Sequence, residues 1–439
     1  MAQIIPFRGT LYDLSSIGSV RNVVAPPYDI IDAAGQKALH DRHPQNIIRL
    51  ELGMDEPGDD ATNNRYRRAA ETLQAWIAHG ALKRDAHPAI YYHTIEYVPP
   101  SSDTRTPKKT LRGFLATTKL EPLDSGHIYP HENTRSAAKT DRLNLLKSCK
   151  ANLSPIWLLY SDPHNAILGL LEEAVKGQPA RIDFEDHSGC RQRLWAVTDP
   201  SILQQIVDIM ASKPLFIADG HHRYETALNY QRFRRETDGP SGDLKPYDSV
   251  LMLLSPLEDP GLSVLPTHRV ITTALPPHGQ VIARLVDSFD MTEWPFTAAT
   301  KAAVRGRFLE GLRLNGRTTP TFGLALKEDD RYLMLSLKAA RRPRADASPR
   351  TKLDVSLLQQ LVVSVLCPTQ QEQEAILYTK DDHEALDWTA AGPGTAALLL
   401  NATKVSEVQA VATAGERMPH KSTYFYPKPL TGLVIHVME

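Results

Sequence analysis

The sequence predicts an α+β fold built around a mixed sheet. Short apolar runs alternate along the chain with helical patterns, and no repeat of about 20 to 50 residues is visible. Of the 439 residues, 42% are hydrophobic and 23% are charged, as in ordinary soluble proteins. A chain of this length and composition can bury a large core, which excludes a protein that is disordered throughout.

The individual elements follow from their periodicity. Residues 62–82 carry Tyr66, Leu73, Trp76 and Ile77 at helical spacing, and residues 89–97 alternate and are rich in Tyr and Ile. The same criteria predict strands at residues 111–120, 154–160, 194–197, 215–218, 247–254, 262–265, 321–326, 332–337, 395–402 and 422–426. They predict helices at residues 166–176, 200–211, 224–236, 280–288, 299–315 and 353–366.

No clear linker divides the chain. We place the divisions near residues 150 and 270. They give an N-terminal α/β region (1–150), a core (151–270) and a C-terminal α+β region (271–439).

Composition excludes several classes of protein. Fifty basic and 51 acidic residues give a net charge of -1, so nucleic-acid binding is not expected. Cys149, Cys190 and Cys367 lie far apart, which favours neither a disulfide framework nor a cysteine-based zinc site. There is no signal peptide and no apolar run of membrane-spanning length. We therefore expect a cytoplasmic protein without a membrane partner.

The segment PLFIADGHHRYETAL, residues 214–228, carries the sharpest chemical signal. It predicts a buried strand, a tight turn at Asp219 and Gly220, and a helix that begins at His221. A helix N-terminus presents free N–H groups that attract anions, and Gly220 lets the backbone approach a ligand closely. The segment therefore predicts an anion-binding turn.

The side chains of this turn fit a phosphate. Arg223 can bind it bidentately, and His221 or His222 can hydrogen-bond it or move a proton near neutral pH. Asp219 could cap the helix, hold a histidine tautomer or act as a general base. The alternative is that Asp219 is only a cap and that both histidines lie on the surface.

Three further segments have phosphate-friendly chemistry. Residues 127–142 contribute several phosphate donors and one or two carboxylates that could bind Mg²⁺ or accept a proton. Residues 24–29, VAPPYD, form a rigid turn that holds Tyr28 and Asp29 in place. Residues 417–433 offer phosphate donors and an aromatic face for a base. The candidate residues in the first and last of these segments are His131, Glu132, Thr134, Lys139, Arg142, Lys421, Ser422 and Thr423. For each segment the alternative is a charged loop or a core strand.

Together these segments resemble one family. It is the prokaryotic domain-of-unknown-function family numbered one thousand and fifteen, and the resemblance extends over nearly the whole chain. The family name implies no reaction. The matching stretches are VAPPYD (24–29), HENT (131–134), DGHHRYETA (219–227) and MPHKSTYFYPK (418–428).

A second resemblance is local. The Asp-Gly-His-His-Arg turn is similar to the phosphate-binding turn of the ParB/sulfiredoxin-like group, and its two histidines are closest to the free-serine kinases. The resemblance implies a ParB/sulfiredoxin-like nucleotide-binding core with α/β elaborations. It also implies that Gly220, His221, His222 and Arg223 hold nucleotide phosphates. Asp219 or a nearby glutamate would be the base, and Glu132 is our choice from its neighbourhood.

We therefore predict a nucleotide-dependent kinase that phosphorylates a hydroxyl of a small molecule, with L-serine or a serine-like amino acid first. ATP or ADP would be the donor, and Mg²⁺ would bridge the phosphates. Lys139 and Arg142 would offset phosphate charge. The alternatives are a nucleotide-gated switch of the partition (ParB-like) type and a phosphate-ester hydrolase. That the dispersed segments converge on one site is a separate hypothesis, motivated by their shared phosphate-friendly chemistry. A separation of more than about 15 Å between Glu132 and His222 would exclude one shared site.

Overall fold

The computed structural model describes residues 3–100, 107–134, 136–239 and 242–438. Its strands are β1 (Ile4–Ile5), β2 (Thr10–Tyr12), β3 (Leu82–Arg84), β4 (Ile90–Tyr97), β5 (Lys109–Lys119), β6 (Ile128–Tyr129), β7 (Ala151–Asn152), β8 (Ile156–Tyr160), β9 (Ile182–Glu185), β10 (Arg191–Val197), β11 (Leu215–Asp219), β12 (Ser249–Pro256), β13 (Ser263–Leu265), β14 (His268–Ile271), β15 (Phe289–Pro295), β16 (Thr321–Leu326), β17 (Arg331–Leu337), β18 (Leu377–Thr379), β19 (Ala396–Leu399), β20 (Tyr424–Tyr426) and β21 (His436–Val437).

The α-helices lie between and around these strands. They are α1 (Leu14–Ile17), α2 (Val20–Val23), α3 (Ala33–Arg42), α4 (Ile48–Glu51), α5 (Arg65–Ala78), α6 (Ser136–Cys149), α7 (Ala166–Val175), α8 (Pro200–Met210), α9 (His221–Asp238), α10 (His278–Leu285), α11 (Lys301–Asn315), α12 (Asp354–Leu358), α13 (Ser364–Leu366), α14 (Gln370–Glu374), α15 (Asp382–Ala391) and α16 (Val405–Thr413). No helix of the described residues has the length and apolar composition needed to cross a membrane.

Nine of the described strands form the central sheet. Their order is β6-β11-β8-β12-β5-β4-β10-β9, with β1 paired to β5. The β6–β11 and β8–β12 neighbours are parallel, and the other neighbours are antiparallel. The predicted fold class, α+β with a mixed sheet, is confirmed.

Helices α7 and α8 cover one face of the central sheet. The apolar side chains of α8 recur at helical spacing, so Leu203, Ile206 and Met210 all face inward and are buried. Asp199 caps the helix by accepting the N–H groups of Ser201 and Ile202, and the proline at position 200 starts it. The other face of the sheet joins the largest apolar core of the chain.

A second, antiparallel sheet lies in the C-terminal part of the chain, with strand order β15-β17-β16-β19-β14-β18. Helices α11 and α15 bury apolar side chains against one of its faces. The helix predicted at residues 353–366 is interrupted by a π-helical turn at Gln359–Val363. Strands from both sides of residue 150 pair in the central sheet, and the second sheet begins at residue 268. The three-part division of the chain stays a prediction.

Candidate active site

The candidate site lies at one edge of the central sheet, where β6 and β11 run parallel. The carboxyl ends of parallel neighbours meet at the same edge, so the loop after β6 lies beside the turn after β11. The first loop carries His131 and Glu132, and the second begins helix α9. Oε2 of Glu132 is 3.9 Å from Nδ1 of His221. Two of the candidate segments therefore meet.

The C-terminal segment crosses the same edge. The backbone N–H of Met418 donates to the carbonyl of His131 (2.8 Å), and the Arg417 guanidinium donates to the carbonyl of Pro130 (2.9 Å). The hydroxyl of Thr423 lies 3.0 Å from Nε2 of His131. Beyond β20, Lys428 forms an ion pair with Asp219. The C-terminal segment therefore supports the His131 loop through a backbone hydrogen bond and supplies the cation Lys428.

The VAPPYD segment also reaches the site. Ala25 and Thr431 exchange backbone hydrogen bonds, which ties this segment to the C-terminal one. The exposed carboxylate of Asp29 acts on the pKa of both Glu132 and Lys428, raising each of them. The four segments with matching motifs are therefore joined to one another by direct contacts.

Helix α9 begins without a side-chain cap. Its N-cap is Gly220, which has a φ of 93°, and the structure shows no side chain accepting from the first N–H groups of the helix. Those groups point away from the 18-residue helix. Because aligned peptide dipoles concentrate positive charge at this end, an anion is stabilised there. The predicted strand, turn and helix start are therefore present, and anion binding at this turn stays a prediction.

We expect Gly220→Ala to lower the free energy of unfolding by about 1–3 kcal/mol. A left-handed backbone is strained for alanine, and the added Cβ would lie 3.0 Å from Nε of Arg223. Chemical denaturation would measure the loss. Gly177→Ala is the matched control, because Gly177 also has a positive φ of 73° but no atom within 4 Å of an added Cβ. An equal loss in both variants would contradict the contact with Arg223.

Asp219, Arg223 and Lys428 form a buried ionic cluster. Nη2 of Arg223 is 2.6 Å from Oδ2 of Asp219, and Lys428 binds the other carboxylate oxygen. Nη1 of Arg223 also donates to the carbonyl of Pro155. Burial alone would raise the pKa of Asp219, but the charges of Lys428 and Arg223 outweigh it and hold that pKa below its usual value. The cluster carries one net positive charge and leaves Asp219 a poor base.

Burial favours the neutral form of the two central histidines. Burial lowers the pKa of His131 to about 4, and burial with the neighbouring His131 and His222 holds the pKa of His221 well below its usual value. Nε2 of His221 accepts the backbone N–H of His131 at 3.2 Å. The remaining proton of His221 must therefore lie on Nδ1, the nitrogen that faces Glu132.

Glu132 has the pKa in the site that best suits a group accepting a proton near neutral pH. Its side chain is 27% exposed, so a substrate can reach it. Removal from bulk water raises its pKa to about 7, a shift that Lys428 opposes and Asp219 reinforces. A carboxylate with a pKa near the working pH is suited to accept and release a proton. Of the two bases predicted from sequence, the geometry favours Glu132 over Asp219.

The other predicted phosphate ligands are distributed around this centre. His222 lies half-buried in the first turn of α9, and the side chain of Lys421 is exposed at the site edge. Thr134 and Lys139 both bind the carboxylate of Glu225, each at 2.8 Å. Their phosphate-binding role stays a prediction.

Two predicted ligands use their polar groups internally. Arg142 is buried, pairs with Asp141 and Glu51, and stacks over the Tyr28 ring at 4.2 Å. The hydroxyl of Ser422 donates to the carbonyl of Pro419. In both residues the polar groups are therefore engaged within the protein, and their phosphate-binding role stays a prediction.

Sequence reasoning did not include Lys428, Asp29 or Glu225 among the site residues. Lys428 lies between Pro427 and Pro429, which restrict the backbone around it. A lysine held in this way at the end of the MPHKSTYFYPK motif could have been identified as a site residue from the sequence. Asp29 lies two residues after the Pro26-Pro27 pair, which restricts the backbone in the same way. Glu225 lies one turn into α9, on the side that meets Lys139, and only the packing of α6 against α9 reveals it.

The carboxylates of the site can be compared with the ligands that Mg²⁺ requires. Among the described residues, no group of three or more His, Cys, Asp or Glu is arranged to hold a metal ion. Mg²⁺ bound with a nucleotide needs only one or two carboxylates, because phosphates and waters supply its other ligands. Asp29 and Glu132 are the carboxylates from which such ligands would come, since Asp29 is near enough to raise the pKa of Glu132.

Several solved structures resemble this fold at low identity. A conserved hypothetical protein from Pyrococcus furiosus is 13% identical over 73% of this chain and 93% of its own, with a TM-score of 0.35. A free serine kinase in complex with AMP is 13% identical over 71% and 86%, also with a TM-score of 0.35. SbnI with a C-terminal truncation, from Staphylococcus aureus, is 11% identical over 72% and 85%, with the same TM-score.

No curated protein matches the sequence. A family model does, and it matches residues 4–356, which include the VAPPYD segment, the loop with Glu132 and the turn before α9. The chain therefore belongs to the family described as "Protein of unknown function (DUF1015)".

Proposed function

We propose that this protein is a kinase that transfers a phosphoryl group from a nucleotide to the hydroxyl of a small molecule, with free L-serine as the first acceptor to test. One observation carries the proposal. Glu132, a carboxylate with a pKa near 7, lies next to the uncapped N-terminus of α9. An anion site and a proton acceptor are the two parts that phosphoryl transfer to a hydroxyl requires.

The proposed roles follow from the geometry. Phosphate oxygens would bind the first N–H groups of α9 and His222, with Lys421 supplying a further positive charge at the edge. The ionic cluster adds one fixed positive charge and aligns the turn. Asp29 would help to hold Mg²⁺, which neutralises phosphate charge when bound.

The proposed step balances as a simple displacement. The acceptor oxygen forms a bond to the terminal phosphorus of the nucleotide, and the bond from that phosphorus to the leaving phosphate oxygen breaks. The hydroxyl proton passes to Glu132. The Nδ1–H of His221 faces this carboxylate and would orient it, so we regard His221 as a positioning residue.

The acceptor is proposed from the likeness of the Asp-Gly-His-His-Arg turn to that of free-serine kinases. Serine also fits the chemistry, because its hydroxyl can act as the nucleophile in this displacement.

Phosphorus NMR tests the proposal directly. The full chain would be incubated with Mg²⁺, L-serine and either ATP or ADP, and samples without serine would serve as controls. We expect a new phosphomonoester signal that requires serine. Inorganic phosphate released without an acceptor would instead indicate a hydrolase, and nucleotide binding without turnover would indicate a switch. Threonine and homoserine in place of serine would define the acceptor range.

A further inference from the structure

A cavity lies between α2, α3 and the turn after β9, and it is separate from the ionic cluster of Asp219, Arg223 and Lys428. Its volume is about 320 Å³, within the range of small-molecule sites. None of Glu132, Asp219, His221 or Lys428 lines it. Its floor is apolar and is formed by Val24, Ala25, Pro26, Ile31, Leu39 and Leu430.

Two arginines and a histidine stand at the wall of this cavity. Arg21 lies within the single turn of α2, Arg42 ends α3, and His187 lies in the turn after β9. The positive charges are close enough to influence one another. Burial and the charge of Arg21 lower the pKa of Arg42, while burial and both arginines lower the pKa of His187.

The carboxylates that line the cavity do not neutralise these arginines. Asp186 accepts the backbone N–H groups of Ser188 and Cys190 and the side-chain amide of Gln192. Asp32 accepts the N–H of Gly35 at the start of α3. Throughout the described ranges, neither Arg21 nor Arg42 has an ion-pair partner within 4 Å.

Two neighbouring guanidinium groups without an ion-pair partner repel each other, and the repulsion is relieved when an anion binds between them. A carboxylate or phosphate matches the planar donors of arginine, whereas the apolar floor matches a hydrocarbon or aromatic body. Inorganic ions would leave that floor exposed to water, so an organic anion is the better fit.

We propose that this cavity binds an organic anion whose carboxylate or phosphate group contacts Arg21 and Arg42 and whose apolar body, about the size of two fused rings, lies on the floor formed with Leu39 and Leu430. The site is independent of the proposed phosphoryl transfer. No residue of the kinase proposal is needed for it.

Isothermal titration calorimetry of the full chain tests the proposal with three probes of one shape: 1-naphthyl phosphate, 1-naphthoate and the uncharged 1-naphthol. We expect at least one anion to bind at a single site, and 1-naphthol to bind at least tenfold more weakly. Tighter binding of the phosphate or of the carboxylate identifies which anion the cavity prefers.

Three variants locate the binding. Arg42→Gln, and its combination with Arg21→Gln, are expected to weaken anion binding at least tenfold, because each removes charge-assisted hydrogen bonds. Ala38→Trp, on the cavity wall, should block binding while leaving both arginines. Arg344→Gln is the matched control, since Arg344 is an exposed arginine elsewhere on the surface.

Circular dichroism would establish that each variant is folded. Binding that is unchanged in the Arg21 and Arg42 variants, equal binding of 1-naphthol, or no binding of either anion would each overturn the proposal.

Discussion

Glu132→Gln is expected to reduce the rate of phosphoryl transfer by about 10²–10⁴-fold, the usual contribution of a positioned general base. Glutamine has nearly the same shape as glutamate but cannot accept a proton. Nucleotide binding should change little, because the proposed phosphate ligands are the backbone N–H groups at the start of α9 and not the Glu132 side chain. Initial rates measured by phosphoserine formation, together with nucleotide titrations, would separate the two effects.

The pH dependence gives an independent check on the same residue. In the proposed step the active form of Glu132 is the carboxylate, and burial raises its pKa to about 7. The rate of the native protein should therefore fall about tenfold for each pH unit below 7 and level off above it. Glu132→Gln should lack this dependence.

Glu71→Gln is the matched control for the glutamate change. Glu71 pairs with Arg67 on an exposed helix face and lies outside the candidate site. Its substitution should leave both rate and pH profile unchanged. More than a tenth of the native activity remaining in Glu132→Gln would show that another group accepts the proton.

Asp219→Ala is expected to lower the free energy of unfolding by about 3–5 kcal/mol. Asp219 is 8% exposed and is the shared partner of Arg223 and Lys428. Its loss leaves two buried cations facing each other without a counter-charge, which costs more than the loss of an ordinary surface ion pair. Urea denaturation at neutral pH would measure the change.

Lys428→Met provides the comparison, because it leaves Asp219 paired with Arg223. We expect it to lose clearly less stability than Asp219→Ala. The pKa of Asp219 is lowered in the folded chain, so its contribution is fully present above the ordinary aspartate pKa of about 4 and is lost as the pH falls through the lowered value. Equal losses in the two variants at pH 7 would refute the shared-partner arrangement.

Local sequence patterns predicted much of the central sheet. The alternation at residues 89–97, the apolar run before Asp219 and the turn signal at Gly220 predict two strands and a long helix, and the structure contains each of them. The short strand β6 carries only two residues, too few to show a period, yet its parallel pairing with β11 brings Glu132 to the site. Pairing of this kind depends on tertiary contacts.

The site residues likewise divide into those that a local sequence pattern reveals and those that only tertiary contacts reveal. The turn with Gly220 has a local signature, because the glycine and the helix start are adjacent in sequence. No local sequence signature reveals the side-chain partners of Arg223 and Lys139. An arginine that could bind phosphate and one that holds Asp219 and the Pro155 carbonyl look identical in sequence, and only the fold shows which groups surround them.

The separation of the site segments along the chain has a consequence during synthesis. His131 and Thr423, which contact each other, are 292 residues apart, and Asp219 and Lys428 are 209 residues apart. Ribosomes deliver the N-terminal parts of a protein first. A growing chain therefore presents Asp219 and Arg223 long before Lys428 has been made, and the ionic cluster cannot close before synthesis passes residue 428. Unfinished chains consequently lack the completed edge on which the proposed nucleotide would bind.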